Sequence, residues 1–71
     1  MMTPEMAAGY ERAAVALAEG RLPAPDGSIR DRAFAAAAGG LREMTLSEMR
    51  STCRRAARIL RDCIEKSEPL P

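Results

Sequence analysis

From Thr45 to Lys66 the chain contains neither glycine nor proline, and the first interruption is Pro69. A stretch that long without a breaker, carrying a three-four apolar rhythm, reads as one helix. Thr45 followed by Glu48 has the form of a capping box. The threonine hydroxyl accepts from the Glu48 N–H and the glutamate carboxylate reaches back to the Thr45 N–H, satisfying two donors otherwise orphaned at a helix start. Leu46, Met49, Cys53, Ala56, Leu60 and Cys63 recur at alternating steps of three and four, with Ala57 and Ile64 widening the stripe. They share one helical face, and the helix spans roughly 30 Å at 1.5 Å per residue.

Arg50, Arg54, Arg55, Arg58 and Arg61 fall on the other side, their arc centred on the order of 150° from the apolar one. No acid lies between Arg50 and Arg61, so the middle of this helix is cationic. Asp62 and Glu65 follow Arg58 and Arg61 by four residues and offer partial neutralisation, with the base N-terminal to the acid, the weaker orientation. Arginine grips carboxylate and phosphate through two parallel hydrogen bonds, so the row is the candidate partner-binding surface.

The rest of the chain supplies two shorter helices. Thr3-Pro4-Glu5 is an opening of N-cap residue, first-turn proline and acid, and it starts a helix over about 4–19. Met6, Tyr10, Ala13, Ala14 and Leu17 form its expected buried stripe, and Gly20 its stop. Residues 20–28 form a connector with two prolines and an Asp26-Gly27 turn signal, in which Leu22 is the apolar anchor. Ser28 with Asp31 three positions on opens a second helix, expected to break at Gly39-Gly40 and so to cover about 28–38. Its smooth alanine run, Ala35 to Ala38, is expected to press between the other two helices, with Leu41 and Met44 plugging the core. Residues 67–71, containing two prolines, form a frayed tail. The expectation is one all-α domain over 1–71, with three helices at about 4–19, 28–38 and 45–66, the last of them long and amphipathic.

Such a chain has little with which to build a core. Of its 71 residues fourteen are alanine, and Tyr10 and Phe34 are the only aromatics. A domain this small buries only about 60% of its unfolded surface. Association with another chain, foremost as a homodimer, is the expected supplement. The seam Leu46, Met49, Cys53, Ala56, Leu60, Cys63, Ile64 then serves as core or as dimer contact.

Several kinds of chemistry lack their parts. There is no histidine, two cysteines do not make a zinc site, and Gly39-Gly40 has neither the preceding strand nor the following Lys and Ser/Thr of a phosphate loop. No cofactor, metal or catalytic residue is expected. Cys53 and Cys63 lie about 15 Å apart along one helix, beyond the ~7 Å reach of a disulfide, and read as buried thiols. The first residues lack the basic start and apolar run of a secretory leader, and no stretch approaches a membrane span of about 18 apolar residues, so the expected location is cytoplasmic.

The function expected is that of a small non-catalytic interaction module docking on an acidic protein surface, in the manner of an adaptor, an assembly factor or a small phage-encoded stoichiometric inhibitor. The alternative is a small DNA-binding regulator. Ala36, Gly40, Leu41, Leu46 and Met49 loosely fit helix-turn-helix spacing. A net charge of only +1 weighs against phosphate binding, which leaves a basic footprint.

Overall fold

The computed structural model describes residues 1–22 and 31–66. It contains three helices, α1 (Pro4–Ala18), α2 (Arg32–Arg42) and α3 (Leu46–Lys66), and no strand among the described residues. The all-α expectation holds. The Asp26-Gly27 turn, the opening at Ser28 and the tail over 67–71 lie outside the described residues.

Local chemistry sets most of the helix ends. Thr3 caps α1, its hydroxyl accepting from the Met6 N–H at 3.2 Å with Pro4 in the first turn. At the other end Gly20 takes φ +70°, a conformation that costs glycine nothing. That rotation lets the Gly20 N–H donate to Leu17 at 3.0 Å and the Arg21 N–H donate to Ala16 at 2.7 Å, the double closure of a Schellman motif. α3 opens on the expected capping box, with the Thr45 N–H donating to Glu48 at 2.9 Å and the Glu48 N–H donating to the Thr45 hydroxyl at 3.2 Å.

The second helix departs from expectation at its far end. α2 does not break at Gly39-Gly40 but continues to Arg42. A helical glycine is a penalty of roughly 0.8–1.0 kcal/mol against alanine, not a prohibition. Here Leu41 is completely buried, and burying a leucine recovers about 1.5–3 kcal/mol, enough to carry the helix past both glycines. The cap that starts α2 is Asp31, whose carboxylate accepts from the Phe34 N–H at 3.1 Å.

The packing order also differs from expectation. α2 is not pressed between the other two; α1 is the shared helix, packed against both α2 and α3, and those two have little contact with each other. Pro4 lies beside Ile59 and Lys66, and Leu17 beside Met49, so α1 and α3 run antiparallel. The buried face of α1 consists of Ala7, Gly9, Ala13 and Ala16, whereas Met6 and Leu17 of the expected stripe are about two-fifths exposed. Small residues let backbones approach, and Gly9 lies directly against the Ala33 carbonyl of α2. Around Ala13, Ala37 and Leu41 gather Tyr10, Leu22, Phe34, Met44, Met49 and Cys53, all partly buried. Leu22, Leu41 and Met44 thus take the core positions expected of them.

Candidate interaction surface

The capping box and the antiparallel contact with α1 fix the rotation of α3, and with it what the helix shows to solvent. Only Ala56 is buried along its whole length. Met49, Thr52, Cys53, Ile59 and Leu60 are half-buried, all within about 60° of Ala56. The expected seam therefore divides. Met49, Cys53, Ala56 and Leu60 turn inward, joined by Ile59, which the three-four count passed over. Leu46 (63% exposed), Ile64 (70% exposed) and Ala57 face out, and Cys63, on the inward line but beside the start of α1 at Pro4, is exposed as well. Cys63 is thus not the buried thiol expected, and no disulfide joins it to Cys53.

Arg50, Arg54, Arg55, Arg58 and Arg61 are all exposed, as their arc requires. The neutralising pairs Arg58–Asp62 and Arg61–Glu65 do not form. The ion pairs among the described residues are Arg12–Asp31, at 2.5 Å, and Arg21–Glu19, both at half-exposed side chains away from the row. Surface pairs of this kind contribute little, and a long arginine side chain gives up rotamer freedom to make one, which is reason enough for the two four-residue pairs to stay open. The row is a ridge of five exposed guanidinium groups.

The ionised groups with shifted acidity are structural. The Phe34 amide, with Arg12 beside it, holds the Asp31 carboxyl below its ordinary value, and the Thr45 amide and hydroxyl do the same for Glu48. Both are helix caps, and the cause in each case is a hydrogen bond to the charged form. Among the described residues no group of three or more Cys, Asp or Glu side chains is placed to hold a metal ion, and no helix is long and apolar enough to cross a membrane.

The helix-turn-helix assignments fit less well. Gly40 lies inside α2 instead of in the turn, Ala36 is exposed, and Leu46 is mostly exposed where that motif buries an apolar side chain. The α2–α3 connection itself is short, consisting of Glu43, Met44 and Thr45. No protein family, curated protein or solved structure matches this chain.

Proposed function

We propose that this chain is a non-catalytic helical interaction protein, acting by stoichiometric binding and docking on an acidic protein surface through the arginine ridge of α3. One observation carries the reading: five exposed guanidinium groups stand on a single helix with no ion pair to a carboxylate among the described residues. An array of that kind raises local positive potential, steers an acidic partner and offers bidentate contacts on arrival. The thin core supports a second element, in which a bound chain supplements the fold; thermal stability then rises with partner concentration. The working site is the cytoplasm, where two thiols stay reduced.

The test is the charge-reversed variant R54E/R58E. Both positions are exposed, so far-UV circular dichroism and thermal midpoint stay close to wild type. A protein captured from lysate by the wild type is lost by the variant, and undiminished capture would remove the ridge from the reading. A second reading, a small DNA-binding regulator, is favoured by the three-residue connection between α2 and α3, the length usual between two helices of a DNA-reading pair. Fluorescence anisotropy with a mixed-sequence duplex separates the two readings. Binding to DNA falls steeply with salt, whereas absence of binding at low salt leaves the protein partner alone.

A further inference from the structure

The outward half of the α3 seam is more ordered than scattered surface leucines. At about 100° per residue, Leu46 and Ile64 lie on one line along the helix, with Ala57 about 20° to one side and Cys53 and Leu60 about 20° and 40° to the other. With Arg50 added, and with Cys53 and Leu60 as half-buried positions shared with the face that α1 covers, the steps from Leu46 through Arg50, Cys53, Ala57 and Leu60 to Ile64 alternate four and three without a break. This is a helix-pairing rhythm about 27 Å long. It runs from the edge of the face that α1 covers, centred on Ala56, to the first of the arginines. Arg50, Arg61 and Arg54 border it at about 40°, 60° and 80° from the Leu46–Ile64 line, while Arg58 and Arg55 stand about 120° and 180° away.

From this arrangement we infer that the outer stripe of α3 is the seat of an amphipathic helix from another protein, one carrying acidic residues beside its apolar seam. The inference rests on the arginine ridge being a docking surface and narrows it to Arg50, Arg54 and Arg61. Charge decides the occupant. A second copy pairing in parallel register sets Arg50 against Arg50 inside the seam. A second copy pairing antiparallel, with Leu46 over Ile64, sets Arg54 against Arg54 and Arg61 of its partner. Like charges at seam and flanking positions destabilise helix pairs, whereas glutamates there would meet the arginines directly.

The probe is a fluorescein-labelled three-heptad peptide with leucine at both seam positions and glutamate at both flanking positions. A matched peptide has lysine for glutamate. Anisotropy titrations with the full chain should show the glutamate peptide binding at least about tenfold more tightly than the lysine peptide, as complementary flanks require. L46E/I64E should weaken that binding about tenfold or more, and R54E/R61E should invert the preference between peptides. Circular dichroism verifies folding, and A57E, at another exposed stripe position, serves where L46E/I64E does not fold. Equal binding of both peptides, or binding of neither, overturns the inference. Loss in R54E/R61E without loss in the stripe variants leaves the ridge a docking surface but removes the stripe from it. Loss in the stripe variants alone removes the arginines and with them the acidic partner. A dimer in sedimentation equilibrium that L46E/I64E returns to monomer assigns the stripe to a second copy, and also overturns the inference.

Discussion

A β-carbon on residue 9 would lie 2.5 Å from the Ala33 carbonyl oxygen, a separation that real side chains do not tolerate. Backbone has to move to admit it, and overpacking of that kind costs about 1–3 kcal/mol. Better helix propensity returns up to about 1 kcal/mol, so G9A is expected to destabilise. Gly39, also helical, has nothing within 4 Å of the same imagined atom, and G39A is expected to stabilise by about 0.5–1 kcal/mol. Urea unfolding of the two variants checks the pair, and equal shifts would contradict the close contact. Gly9 was hard to read from the sequence because one glycine among alanines gives no contrast in size or polarity. The available signal was the set of small residues Gly9, Ala13 and Ala16 along one side of the helix. The larger Met6 and Leu17 drew the expected stripe away from it.

Individual helices were legible to the extent that local chemistry decides them. Thr3, Gly20 and the Thr45–Glu48 pair act through hydrogen bonds within a few residues, and each bond is formed. The end of α2 was not legible, since Leu41 outweighs the two glycines only through side chains contributed by other helices. On α3 the apolar arc is wider than α1 can cover, and sequence alone does not say which edge is left over. The caps carry a prediction for acid. Asp31 and Glu48 are held below their ordinary values of 3.8 and 4.5, so the native state binds their protons less readily than the unfolded chain does. Their stabilising contribution is complete above those ordinary values and is lost as pH falls through the lowered ones. Thermal midpoints should drop on acidification below about pH 4.5, and D31N/E48Q should flatten that dependence. An unchanged profile in the double variant would place the acid sensitivity elsewhere.

At the scale of the whole molecule, burial among the described residues is concentrated in very few atoms. Leu41 is the one large side chain among them that is fully buried, and the other fully enclosed apolar residues are alanines. L41A is expected to cost about 2–5 kcal/mol, a large fraction of the stability of a small domain. Loss of cooperative thermal unfolding in L41A checks this, and a transition close to wild type would mean that the alanine contacts suffice. α1 packs closely against both of its neighbours while their backbones stay farther from each other, and this has a consequence for how such a sequence can diverge. Positions that meet across α1 and α2 are constrained jointly, because a methyl gained on one helix has to be matched by a methyl lost on the other. The outer face of α3 carries no such obligation. That face can be rewritten without disturbing the alanine-lined half, so its sequence can drift at a rate separate from that of the folding contacts.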